Sequence, residues 1–162
     1  MTLAEELRKA LLSANVQAFL RVIRAGESSQ KQDAYRTLVG GTLFDSVADH
    51  PRRRVYIPRL NVYSTAAGAY QFLVGTWDEC AKALGLPDFS PASQDLAAVF
   101  LIRRRGALTD VLAGRVEKAI KKCAKEWASL PGSPYGQPVR TLPQALATYA
   151  KYSGSIAEKL NA

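Results

Sequence analysis

The acid that follows an apolar helix and a glycine is the most suggestive reactive group in this chain. Around "AFLRVIRAGESSQ", residues 18–30, the positions Val16, Phe19, Leu20, Val22 and Ile23 recur at helical spacing. Gln17 and Arg21 fall on the opposite side, which predicts a helix over 16–26. Gly26 reads as its stop, because glycine tolerates the left-handed conformation that closes a last turn. Glu27 then stands where a packed element hands over to loop. Two readings of its carboxyl are open: a solvated surface acid, or a group held at the edge of a cleft for proton transfer. Other chemistry is thinly supplied. The single histidine, His50, cannot furnish the imidazoles of a two-histidine zinc site, and no serine sits in a Gly-x-Ser-x-Gly turn, so no metal or cofactor is expected. Cys80 and Cys123 each lie on the apolar face of a predicted helix and are expected to be buried small residues, not a disulfide or nucleophiles.

The elements that would position Glu27 are mostly helical. Besides 16–26, helices are predicted near 3–12, 69–84, 91–104, 107–113, 115–128 and 143–152. Ser90-Pro91 and Thr141-Leu142-Pro143 are start signals, and Gly85 and Gly106 are stop signals. Between 35 and 66 the pattern changes: the double glycine at 40–41, the prolines at 51 and 58, and the alternation in "RRVYIP" predict short strands and long loops. A second loop, "SLPGSPYGQPV" at 129–139, carries Tyr135 and Gln137. Two long loops on one helical body are expected to form the lips of a groove. Aromatic and amide side chains there suit a sugar, whose apolar faces stack and whose hydroxyls take hydrogen bonds.

A length of 162 residues predicts one domain, 1–162, and 48% hydrophobic with 22% charged residues is an ordinary globular balance. The net charge of +8 predicts an anionic partner. Its cations cluster at "PRRRVYIPR" (51–59), "IRRRG" (102–106) and "VEKAIKKCAK" (116–125). In the last, Lys118, Lys121, Lys122 and Lys125 share one helical face while Val116, Ile120, Cys123 and Trp127 share another. A nucleic-acid surface would interleave aromatic residues with these cations, and only Tyr56 does so; no nucleic-acid partner is expected. The start, "MTLAEELRKALL", is acidic and amphipathic rather than signal-like, and the longest apolar run, "LAAVFLI" at 96–102, is too short to span a bilayer. The expectation is a soluble protein made without an export signal and without stable membrane insertion.

Seven segments carry a resemblance: "GESS" (26–29), "YRTLVGG" (35–41), "LFDSVADHPR" (43–52), "STAAGAYQFL" (64–73), "FSPASQD" (89–95), "RRGAL" (104–108) and "WASLPGSPYGQ" (127–137). In order and spacing, over about residues 16 to 140, the chain resembles the lambda-type bacteriophage endolysins. Glu27-Ser28 and Gly68-Ala-Tyr-Gln71 are also similar to the Glu-Ser and Gly-x-x-Gln elements of bacterial lytic transglycosylases. The resemblance implies a lysozyme-like α+β fold, mostly helical, with a small β region and a cleft for peptidoglycan glycan strands. It implies cleavage of the β-1,4 bond between N-acetylmuramic acid and N-acetylglucosamine, the muramic C6 hydroxyl attacking its own anomeric carbon to leave a 1,6-anhydro end. By motif position Glu27 is the single acid and base of that reaction. Ser28, Tyr70 and Gln71 are expected at the substrate, with Tyr135 and Gln137 on the second lip, and His50 is expected to hold the loop beside Pro51. Arg36 departs from the pattern, which places an acid after the tyrosine. A hydrolytic muramidase using Asp33, Asp45 or Asp49, and a non-catalytic wall-binding or virion module, are the alternatives; a nucleic-acid-binding protein, motivated only by the basic clusters, is the third. The implied setting is a monomer acting on the periplasmic wall, reaching it through a phage partner's membrane pore or as part of a phage particle.

Overall fold

The apolar stripe read from residues 16 to 23 becomes the axis of the molecule. In the computed structural model, which describes residues 1–136 and 138–157, helix α2 (Ala14–Glu27) buries Val16, Ala18, Phe19, Leu20, Val22 and Ile23. Ser13 caps its start by accepting a hydrogen bond from the backbone N–H of Val16 at 3.4 Å. Before it, α1 (Leu3–Ala10) opens on a capping box, with Thr2 and Glu5 satisfying each other's backbone N–H groups. Around α2 pack α4 (Pro91–Arg104), α5 (Leu108–Leu112) and α7 (Leu142–Lys151), and α1 lies on α4. Helix α3 (Val74–Leu84) also rests on α4, and α6 (Val116–Cys123) on α5. The start signals at Ser90-Pro91 and Thr141-Pro143 and the stop at Gly85 function as read, Gly85 adopting φ 64°. One continuous apolar core results, and Cys80 and Cys123 lie in it as free thiols with pKa values pushed up by burial to about 12.

The β region is smaller than a sheet in the usual sense. Strands β1 (Val55–Ile57) and β2 (Val62–Ser64) form one antiparallel hairpin, with Tyr56 opposite Tyr63. Ahead of it a 3-10 turn, Gln32–Arg36, leads into isolated bridges that join Thr37 to Leu43 and Leu38 to Ala67. His50 holds this region as expected. Its Nε2–H donates to Phe72 O at 2.8 Å, and its Nδ1 accepts from the Arg52 backbone N–H at 2.9 Å. Those two partners fix a neutral ring, and burial lowers the pKa accordingly.

Two predicted helices, 69–84 and 115–128, are much shorter in the structure. The 69–84 helix begins only at Val74, because residues 67–72 close a tight loop in which Ala67 and Phe72 exchange backbone hydrogen bonds and Gly68 and Gln71 take positive φ. The 115–128 helix ends at Cys123, where the backbone N–H groups of Glu126 and Trp127 both donate to the Cys123 carbonyl and the chain turns. Its apolar face, Val116, Ile120 and Cys123, is buried as read, and Trp127 joins it beyond the helix end.

Gln94 ties the loop region to the helical body. Fully buried on α4, its Oε1 accepts from the Ala69 N–H at 3.0 Å, while its Nε2 donates to Tyr35 O at 2.9 Å and Phe89 O at 2.7 Å. One side chain thus satisfies three loop backbones that water cannot reach. Gln94→Leu, which keeps the volume but orphans all three groups, is expected to lower stability by about 3 kcal/mol or more, measured by urea denaturation.

Candidate active site

Glu27 is the last residue of α2, and its carboxyl meets the second loop. Oε1 accepts from the Ser129 hydroxyl at 2.9 Å and from the Ser129 backbone N–H at 3.4 Å. The contact depends on Gly26: a Cβ there would collide with both the Oγ and Cβ of Ser129. Gly26 is therefore no helix stop. It lies inside α2, and the helix ends one residue later, where the Ser28 N–H donates to Arg24 O at 2.9 Å. A glycine was needed for close approach, not for a left-handed turn. Burial lifts the Glu27 pKa above its ordinary value, and the two Ser129 hydrogen bonds oppose that shift with smaller effect.

The carboxyl opens onto a cavity of about 330 Å³. Gly26, Glu27 and Ser28 line it from α2, Thr37 to Gly41 and Arg59 from the first loop region, Gln71 from the tight loop, and Ser129 and Pro138 from the second loop. The two predicted lips thus face one groove. Cavities of about 410 Å³ each beside α1 and beside Phe44 lie apart from Glu27.

Of the residues expected at a substrate, Ser28 and Gln71 border this cavity. The Ser28 hydroxyl donates to Ala69 O at 2.6 Å, so it tethers the loop and leaves the orientation of Glu27 to Ser129. Gln71 uses its Nε2 on Thr37 O (3.1 Å) and Gly68 O (2.9 Å), which leaves Oε1 to accept from a ligand. Tyr70 is placed elsewhere: it is buried, and its hydroxyl donates to Asp95 at 2.6 Å inside the core, because its ring completes the packing with Tyr35 and Phe72. Tyr135 is exposed and off the cavity, its hydroxyl donating to Lys125 O at 2.7 Å. Gln137 lies outside the described residues. Asp33 pairs with Arg36 at 3.1 Å and Asp49 with Arg52 at 2.8 Å, and neither they nor Asp45 line the cavity. Arg36 also donates to Phe44 O at 3.4 Å and so braces the loop.

Behind the site runs a buried polar network that residue-by-residue reading did not find. Arg24, one turn before Glu27, donates from Nε to Ser29 O (3.1 Å) and from Nη2 to Lys31 O (2.8 Å), clamping the chain that leaves the helix. Its Nη1 donates to the Tyr35 hydroxyl (3.2 Å), which in turn donates to Asp95 at 2.9 Å. Burial raises the pKa of the Asp95 carboxyl, against the hydroxyls of Tyr70 and Tyr35. Only the segments "FSPASQD" and "WASLPGSPYGQ" pointed toward Asp95 and Ser129 before the structure did.

A family model described as Endolysin matches residues 17–156. The chain belongs to the endolysin family. It is 42% identical to the endolysin of Escherichia phage lambda over 134 residues, covering 82% of this chain and 84% of that one. With the endolysin of Escherichia phage P2 it shares 40% over 156 residues, covering 88% and 94%. It is similar in fold to bacteriophage lambda lysozyme complexed with a chitohexasaccharide, at TM-score 0.83 and 38% identity, over 89% of this chain and 97% of that one. A second lambda lysozyme structure matches at TM-score 0.80 and 36% identity with the same coverage. This endolysin is thus a peptidoglycan-degrading enzyme with a lysozyme-like α+β fold, and the matched span contains both Glu27 and Ser129.

Two predictions follow the geometry of this pair. Ser129→Ala removes a hydrogen bond that favours the carboxylate, so the pH at which wall-cleaving activity declines on the alkaline side should move upward while kcat falls about tenfold or more. Gly26→Ala, which displaces Ser129, should do the same; a fall in rate with an unmoved pH profile would reduce Ser129 to a packing role. The raised Glu27 pKa also has a stability sign. The folded state keeps the proton where the unfolded chain has lost it, so this contribution is complete below the ordinary value of 4.5 and is lost as pH rises through the folded one. Glu27→Gln should therefore be more stable than the parent at neutral pH in urea denaturation, the advantage vanishing below pH 4.5.

Proposed function

We propose that this endolysin is a peptidoglycan lytic transglycosylase with Glu27 as its one acid and base. The observation that carries the reading is that Glu27 is the only acid lining the cavity among the described residues. Glycosidases that use water or a covalent intermediate place two carboxyls across the bond. Intramolecular attack needs one. The protonated Glu27 gives its proton to the glycosidic oxygen of the leaving N-acetylglucosamine as the bond to the muramic anomeric carbon breaks. The muramic C6 hydroxyl bonds to that carbon, and the Glu27 carboxylate takes the C6 proton, which restores the acid and consumes no water. A carboxyl lifted by burial and steadied by Ser129 suits both halves of this exchange. The chitohexasaccharide bound by the lambda lysozyme supports a glycan in the corresponding groove. We place the action on the periplasmic wall, reached as a monomer through a phage partner's membrane pore or as part of a phage particle.

Mass spectrometry of purified peptidoglycan after digestion tests the reaction. Fragments should end in anhydro-muramic acid, one water lighter than hydrolysis products. Glu27→Gln should lower the rate by about 10²–10⁴-fold while remaining folded. Reducing muramic ends would make water the nucleophile and the enzyme a hydrolytic muramidase, and absence of cleavage would make the fold a wall-binding module.

A further inference from the structure

Ion pairs take up part of the positive charge of this chain. Along 102–106 and 115–125, Arg104 meets Glu79 at 2.6 Å, Arg105 meets Glu126 at 3.0 Å, and Asp110 takes both Arg115 at 2.8 Å and Lys122 at 2.6 Å, while Arg103, Lys118 and Lys125 are exposed without an ion pair among the described residues. In the 51–59 cluster, Arg52 is held by Asp49 and Asp78. Arg53, Arg54 and Arg59 are exposed and form no ion pair among the described residues. All three lie on or beside the β hairpin. Arg54 is held over the Tyr63 ring at 4.6 Å, and Tyr63 packs on Tyr56 across the hairpin at 5.3 Å. Arg59, in the hairpin turn, lines the same cavity as Glu27. It does not steer the acid, whose proton affinity is set by burial and by Ser129.

An unpaired guanidinium at the rim of a cleft is a carboxylate receptor: it is planar, always charged, and offers two parallel N–H donors. Peptidoglycan supplies the matching group. Its muramic residues carry short peptides with free carboxylates, which project from the strand while the sugars occupy the groove. We infer that Arg59, with Arg54 on the same hairpin, binds these stem-peptide carboxylates and makes the enzyme select peptide-bearing glycan over bare strands. The inference rests on the reading of the cleft as a peptidoglycan site.

The test compares soluble glycan strands, cut from their cross-links by an endopeptidase and still bearing stem peptides, with the same strands stripped of peptides by an amidase and their freed lactyl carboxylates capped as amides. The parent should show kcat/KM about tenfold higher on peptide-bearing strands, a preference that weakens as salt rises. Arg59→Gln should lose at least severalfold more activity on peptide-bearing than on stripped strands, and Arg59→Lys should restore part of the preference because the charge remains. Equal losses on both substrates, or a parent with no preference, would overturn the inference while leaving the transglycosylase reading intact. Calorimetric binding of the Glu27→Gln protein to both kinds of strand separates the two ideas. Tighter binding to peptide-bearing strands, abolished by adding Arg59→Gln, supports the carboxylate lip even if the parent releases no fragments; equal binding to both kinds of strand counts against it.

Discussion

Taking a carboxyl out of water at the end of a buried helix is unfavourable, and much of this molecule is arranged around keeping one there. An isolated buried carboxylate has two ways to reduce its cost: to hold a proton more tightly, or to find donors. Glu27 does both, with burial dominant and Ser129 counteracting it in part. The balance matters. Without donors the carboxyl would stay protonated and be a poor base; with several it would stay ionised and be a poor acid. One hydroxyl and one long backbone contact oppose the effect of burial without reversing it.

Holding that balance requires Ser129 and α2 to keep their separation, which neither secures alone. Arg24 fixes the chain just after the helix by gripping the carbonyls of Ser29 and Lys31, and Arg140 reaches from beyond the second loop to the Ala25 carbonyl at 3.3 Å. The same Arg24 is joined through Tyr35 to Asp95 on α4, and Gln94 beside it holds the loops at residues 35, 69 and 89. Two adjacent polar residues on one helix therefore tie the exit of α2 and the loops at 35, 69 and 89 to the same body. Their directional hydrogen bonds fix geometry in a way that apolar packing, which tolerates sliding, does not.

What the sequence showed and what it hid divide along contact distance. The apolar periodicity of α2, the proline-led starts of α4 and α7, and the change of pattern after residue 35 are local signals, and the helices and loops stand close to where they predict. Glu27 was legible as an acid at a helix end. The reason for Gly26 was not, because the atom it admits belongs to Ser129, 102 residues beyond the acid. Tyr70 illustrates the other failure. A tyrosine has an apolar body and a polar tip, so residue type alone fits a sugar platform and a core position equally, and only the presence of Asp95 beneath it decides. Gln71 was placed at the cavity by motif, yet its left-handed backbone, which ends the predicted helix extension, is set by the tight loop from Gly68.

The distribution of charge follows the same logic of position. On the helical body Asp110 and Glu126 each meet two cations, and against burial the Lys122 and Arg115 hydrogen bonds hold the Asp110 pKa below the usual carboxylate range. Such pairs, half in solvent, contribute little to stability individually. They hold part of the positive charge next to acids, while Arg53, Arg54 and Arg59 on the hairpin that borders the groove stay unpaired among the described residues. A net charge of +8 read from composition could not distinguish a uniformly basic protein from one whose unpaired cations border its active site. The structure adds position to that number: Arg59, unpaired among the described residues, lines the same cavity as Glu27, so an anionic strand that enters the groove meets positive charge at the lip beside the acid.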